Sequence, residues 1–164
     1  MSKGFLSRRI PALLSIVVAV MLAIVPLPES VEPYRPDWVA VTLIYWGLML
    51  PRSYSVGTAW LVGLILDVAQ GTLLGQHALS LCLIVYITAK FHLQLRVFPL
   101  SQMTATVFAL LALYQFILFW INGVAGLHTQ AIMYWAPVVT GTALWPLLWL
   151  MFAGIGYRAR TSQR

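Results

Sequence analysis

The stretch SQMTATVFALLALYQFILFWI fills residues 101–121 and contains no Asp, Glu, Lys or Arg. Wound at about 1.5 Å per residue, it reaches the ~30 Å of a bilayer's hydrocarbon core. Charge stays absent well beyond it, from Val97 to Tyr157. The whole chain of 164 residues is 61% hydrophobic and 9% charged, against about 25% charged in ordinary soluble domains. A soluble domain of this size could not hide so much apolar surface, so the solvent of this fold is largely lipid. One transmembrane domain, residues 1–164, uses up the length and leaves no room for a separate soluble domain.

Working outward, the same reading gives five further apolar runs, at residues 10–27, 38–50, 54–70, 78–91 and 132–154. The expected fold is an all-α integral membrane protein, a bundle of about six transmembrane helices. The run at 38–50, stopped by Pro51, is short and reaches about 20 Å. It reads as a thin span, a tilted half-helix or a re-entrant hairpin with its successor. Pro146 lies inside the last run, where it removes a backbone hydrogen bond and favours a kink. The run at 10–27 follows Lys3, Arg8 and Arg9 in the manner of a signal peptide. Its exit, Pro26-Leu27-Pro28, has no small-x-small cleavage site, so an uncleaved first span is expected.

Charge placement orients the bundle. With the N-terminus in the cytoplasm and six alternating spans, Lys3, Arg8, Arg9, Arg52, Lys90, Arg96, Arg158, Arg160 and Arg164 all fall inside. Only Arg35 falls outside, beside Glu29, Glu32 and Asp37. This is the positive-inside bias, with both termini cytoplasmic. The net charge of +6 thus reflects membrane orientation, and no nucleic-acid partner is called for. Trp38, Trp120, Tyr134 and Trp135 sit near outer boundaries and Tyr54 and Tyr157 near inner ones, as interfacial anchors do. Trp60, Trp145 and Trp149 lie deeper and are expected to pack against neighbouring helices. The uncharged fifth and sixth spans read as lipid-facing or purely packing.

No catalytic centre is legible. There is no Walker A loop, GxSxG, HExxH or pair of intramembrane carboxylates. The lone Cys82 reads as a small buried hydrophobe. His77, His92 and His128 are scattered without ligand-like spacing, so no metal or other cofactor is expected.

Polar interest concentrates between Arg35 and His77. Asp67 is the only acid inside a span. Its insertion costs about 2.5–3.5 kcal/mol at a helix centre, and each Val, Leu or Ile of that span returns about 0.3–0.6 kcal/mol. The balance is near zero, so neighbouring helices must hold this span with Asp67 turned from lipid. Three roles fit Asp67: accepting hydrogen bonds from an outer loop or partner, coupling to a proton or ion, or simple interfacial placement. Gly71 and Gly75 have GxxxG spacing, but at a loop a turn needing positive φ is the better reading. His77 follows as a cap or loop residue, and Asp67 and His77 at the two ends of this turn can face each other. Asp37 suits a helix cap and Trp38 a headgroup anchor. The pair equally suits a contact surface for a partner's extracytoplasmic part.

Arg35-Pro36-Asp37-Trp38, then Leu43-Ile44-Tyr45-Trp46, then Gly63-Leu64-Ile65-Leu66-Asp67 with Gly71, Leu74-Gly75 and His77-Ala78-Leu79, resemble the MreD family of bacterial rod shape-determining membrane proteins. The specific part covers residues 35–86; the last two spans agree in hydrophobicity alone. The resemblance implies a non-enzymatic scaffold or regulator of cell elongation in the bacterial inner membrane. It also implies partners: MreC, a single-span protein with a large periplasmic part, the actin-like MreB filament, and the peptidoglycan synthases RodA and PBP2. In its six-helix layout the family is similar to the membrane substrate-binding subunit of vitamin uptake transporters. A solute-binding transporter subunit is therefore the alternative, with Gln70, Asp67, His77 and Asn122 as the polar groups available to a pocket. A small ion-coupled carrier would rest on Asp67 alone.

Overall fold

The structure, a computed structural model, describes the backbone of residues 3–51, 54, 56–127 and 133–161, and the side chains of residues 10–51, 54, 56–127 and 133–151. Arg52, His128, Ile132 and Arg164 lie outside the described residues, as do the side chains of Lys3, Arg8, Arg9, Tyr157, Arg158 and Arg160. The described chain is all-helical. Its α-helices are α1 (Lys3–Ile24), α2 (Trp38–Met49), α3 (Val56–Gln70), α4 (Gln76–Lys90), α5 (His92–Leu95), α6 (Leu100–Val124) and α7 (Ala136–Thr161). Short 3-10 turns at Glu32–Tyr34 and Met133–Trp135 precede α2 and α7.

Helix α2 is the axis of the bundle. Every residue from Val39 to Leu48 is buried, and α1, α4, α5, α6 and α7 all pack on it. A helix that is apolar on all sides must be enclosed on all sides, which explains how a short run can sit in this fold. At 12 residues it is about 18 Å long, but protein rather than lipid surrounds it. Small residues let the neighbours approach. A Cβ on Gly47 would touch Thr88 of α4 at 3.4 Å, and one on Gly141 of α7 would meet Leu111 of α6 at 3.0 Å. In lipid such close packing, with occasional polar ties, is the main attraction between helices. One tie joins α1 to α2, where Trp46 Nε1 donates to Ser15 Oγ at 2.7 Å.

Two arginines close helix ends at opposite ends of α2. Arg35 donates to the carbonyl of Ala23 in the last turn of α1 and to that of Val25 just beyond it. Gln70 at the end of α3 donates to the same Ala23 carbonyl at 3.4 Å. Arg96 Nε and Nη2 donate to Leu48 and Met49, the last carbonyls of α2, at 2.8 and 2.7 Å. Terminal carbonyls have no partner within their own helix, and a guanidinium fork meets two of them at once. The segments after α1 and α3 therefore share one end of the bundle with the two 3-10 turns, which touch each other. The connector after α4 shares the opposite end with the close of α2.

The outer wall is apolar. Val68, Leu74, Val124 and Leu150 are 66–77% exposed, a surface that suits lipid and not water. Among the described residues, Leu100–Val124 is long and apolar enough to cross a membrane, and Ile10–Ile24 and Val56–Gln70 are shorter apolar helices. Several side chains depart from the sequence expectation. Trp60 is 52% exposed on the outer face of α3 instead of packed. Tyr54 is buried, its ring 6.2 Å from that of Trp46, instead of standing free as an anchor. Trp145 and Trp149 do pack together, their rings tilted at 40° with centroids 5.9 Å apart. Cys82 is half-buried and its thiol donates to Val56 O at 3.4 Å. Helix α6 packs on the core and brings Tyr114 and Gln115 into it.

Candidate functional site: a buried carboxylate at a helix junction

Helices α3 and α4 form the most extensive interface of the bundle. Their closest approach is at Gly63, where a Cβ would lie 2.6 Å from the Ala78 amide nitrogen and 3.0 Å from Ala78 Cβ. The backbones touch there, and one turn further along α3 stands Asp67.

Helix α3 ends in a paired-bond C-cap. Thr72 N donates to Asp67 O at 3.0 Å, and Gly71 N to Val68 O at 3.4 Å. Gly71 has φ 64°, the left-handed conformation this motif requires. In such caps an apolar contact commonly joins the residues that Asp67 and Thr72 replace. Here a hydrogen bond does so, Thr72 Oγ1 donating to Asp67 Oδ1 at 3.1 Å.

Helix α4 starts on Gly75, which has φ 98° and no side chain to cap the helix. Asp67 does this from the preceding helix. Its Oδ2 accepts from Gly75 N at 2.8 Å and Ala78 N at 3.5 Å, and its Oδ1 from His77 N at 3.0 Å. These are amides at the cap and first turn that otherwise lack partners. The positive end of the α4 dipole faces the carboxylate, which favours its charge. His77 adds its ring, Nδ1 standing 2.7 Å from Asp67 Oδ1. With Asp67 ionised, Nδ1 carries the proton and donates; Thr72 Oγ1, 3.3 Å from the same nitrogen, shares it. Asp67 is 1% exposed and His77 7%. The His77 ring in turn lies 6.3 Å from that of Tyr114 on α6.

The structure thus gathers Asp67, Gly71, Gly75 and His77 into one junction. Asp37 and Trp38 stand elsewhere, at the start of α2. Asp37 occupies the cap position there, but its side chain makes no cap hydrogen bond, contrary to the expectation from sequence. Its Oδ2 is enclosed without a partner, and burial pushes this carboxyl up to about 7. Trp38 is half-buried against the core.

Sequence reasoning missed Thr72 as the third member of the junction, although a Thr directly after a left-handed glycine was its signal. It also missed Gln115, whose Nε2 donates to Tyr134 O at 2.7 Å, and the two arginine clamps. Asn122, a pocket candidate, donates to Tyr134 Oη at 3.2 Å.

Chemically the junction is closed. Both oxygens of Asp67 are saturated by its own chain, and the hydroxyl beside the Asp67–His77 pair, that of Thr72, is itself bonded to the carboxylate. A carboxylate bonded in this way ties the end of α3 to the start of α4. Fold and junction together are those of a helical protein with an apolar outer wall, whose intramembrane acid is engaged within its own chain. The model of the family "rod shape-determining protein MreD" matches residues 6–155. The chain belongs to the MreD family, whose members are membrane proteins that determine cell shape and are not enzymes. The rod shape-determining protein MreD of Haemophilus influenzae is 32% identical over 142 residues, covering 85% of this chain and 86% of that relative. No solved structure matches the chain.

Proposed function

We propose that this MreD-family protein is a membrane scaffold of cell elongation, linking an MreC-like single-span protein, the MreB filament and the synthases RodA and PBP2, directly or through one another. One observation carries this reading. The intramembrane acid is consumed in fastening α3 to α4, while the surface around it is apolar wall. A protein so arranged offers partners a fixed helical surface and has no chemistry of its own to offer.

The same proposal places the chain in the bacterial inner membrane as a single domain of six spans, with both termini cytoplasmic. Gathering the segments after α1 and α3 and before α7 at one bundle end, with the close of α2 at the other, supports this alternation. The junction of Asp67, Gly71, Gly75 and His77 serves as the structural polar core, and Asp37 with Trp38 forms part of the rim offered to a partner. The solute-binding alternative, with the layout of vitamin transporter subunits, has less support. Its four pocket candidates are engaged internally: Gln70 on Ala23, Asp67 on His77, and Asn122 on Tyr134.

Purification of the tagged protein from its own membranes in mild detergent, with partners identified by mass spectrometry, tests the proposal. A single-span protein with a periplasmic domain in fixed ratio supports it. An ATPase pair with a second membrane subunit overturns it.

A further inference from the structure

The connector between α4 and α6 is apolar where a loop in water would be polar. Phe91, Leu93, Val97 and Phe98 are 40–83% exposed there. Two contacts fix the connector against the bundle. Leu95 is buried in the core, and Arg96 grips the closing carbonyls of α2. The outward direction of the apolar side chains is therefore built in, and α5 between them is too short to span anything.

Charge gives the second observation. Lys90 closes α4 immediately before this ledge. Its ammonium lies 5.8 Å from the Tyr86 ring and 5.7 Å from the Phe91 ring. No acidic residue stands near it in sequence, because the chain has none after Asp67. All four acids precede α4, three of them around the segment after α1. The end of the bundle that holds Lys90 and Arg96 thus has cations without counter-ions.

We propose that Lys90 and the Phe91–Phe98 ledge form a binding site for an anionic phospholipid, the ledge lying at the headgroup–acyl boundary and Lys90 meeting the headgroup phosphate. An apolar face that enters lipid beside an exposed cation is the chemistry of an interfacial anchor, and anionic headgroups attract juxtamembrane Lys. Both features are needed: the ledge without the cation would accept any lipid, and the cation without the ledge would accept any phosphate. Orientation with this end in the cytoplasm follows from the topology proposed above, whereas lipid binding does not depend on it.

The test is thermal unfolding of the full chain in mild detergent with added phosphatidylglycerol, phosphatidylcholine or inorganic phosphate. Phosphatidylglycerol is expected to raise the midpoint, with little effect from the other two. Lys90→Gln, at an exposed position, is expected to weaken phosphatidylglycerol binding about fivefold. Leu93→Ser with Val97→Ser is expected to weaken it further while leaving the midpoint without lipid unchanged. Equal stabilisation by phosphatidylcholine, stabilisation by inorganic phosphate alone, or full binding by Lys90→Gln would each overturn the proposal. So would capture of an acidic peptide at Lys90 in place of lipid. Labelling of Gln94→Cys by an impermeant maleimide in intact spheroplasts, in a Cys82→Ser background, reads the topology separately.

Discussion

Gly63 of α3 and Ala78 of α4 meet backbone to backbone, with room for a hydrogen and none for a methyl group: a Cβ on Gly63 would come within 2.6 Å of the Ala78 nitrogen. The obstacle is main chain and cannot rotate aside. Asp67 lies one turn along the same face and binds the Ala78 amide, so the crossing and the carboxylate cap depend on one alignment. Gly63→Ala is expected to lower stability by about 1–3 kcal/mol or more, as overpacking does. Gly57→Ala, where open space surrounds the glycine, is the control and should change little. Thermal midpoints in a fixed detergent compare the two.

Gly75 separates conformational cost from crowding. A Cβ there meets nothing within 4 Å, yet φ is 98°. Gly75→Ala should therefore cost about 1–2 kcal/mol through the left-handed backbone alone. Gly75→Asn should cost less than Gly75→Val, since Asn tolerates this region and a β-branched residue does not. Equal effects from Asn and Val would contradict the assignment.

Removing the guanidinium of Arg96 leaves the carbonyls of Leu48 and Met49 without their partner. A hydrogen bond to a charged group contributes about 1.5–3 kcal/mol when shielded, and less where water can compete, as at this exposed side chain. Arg96→Gln should destabilise by about 1–2 kcal/mol, with Arg96→Lys intermediate because an ammonium lacks the fork. Hydrogen exchange should rise selectively at the close of α2.

Asp37 predicts a pH dependence. Burial raises its carboxyl to about 7 in the folded protein, well above the ordinary aspartate range, so the folded state holds the proton more tightly than the unfolded one. Its stabilising contribution is complete below the unfolded value and is lost as pH rises toward and through 7. Asp37→Asn, neutral throughout, should match the wild type near pH 4 and exceed it increasingly up to pH 8. Midpoints measured across that range should diverge in that sense; parallel curves would show that Asp37 is solvated.

The apolar runs, the absent charges and the basic residues were enough to read an all-helical membrane protein, but not the short α5 between the fourth and fifth runs. Asp67, Gly71, Gly75 and His77 were legible as a group because an acid in an apolar run and two nearby glycines are locally anomalous. What could not be read is which partner each polar group finds. Asp37 has the residue type and position of a cap, but its side chain is turned into the protein. Trp60 and Trp145 have similar apolar surroundings in sequence, yet one faces outward and the other is fully buried. That difference depends on which side α4 and α7 take, and local sequence does not encode it. The clamps from Arg35 and Arg96 join residues 10 to 48 positions apart, beyond the reach of any spacing rule.

In the scaffold proposed above, the Asp67 junction sets the surface on which partners assemble. The most direct test of this role is the ratio of single-span partner to tagged protein in mild-detergent purifications of wild type and Asp67→Leu, with membrane abundance measured alongside. The mutant is expected to insert and to carry a clearly reduced ratio of partner, at an abundance lowered by the α4 amides that lose their acceptor. An Asp67→Leu protein that retains its partner at the wild-type ratio would contradict this role.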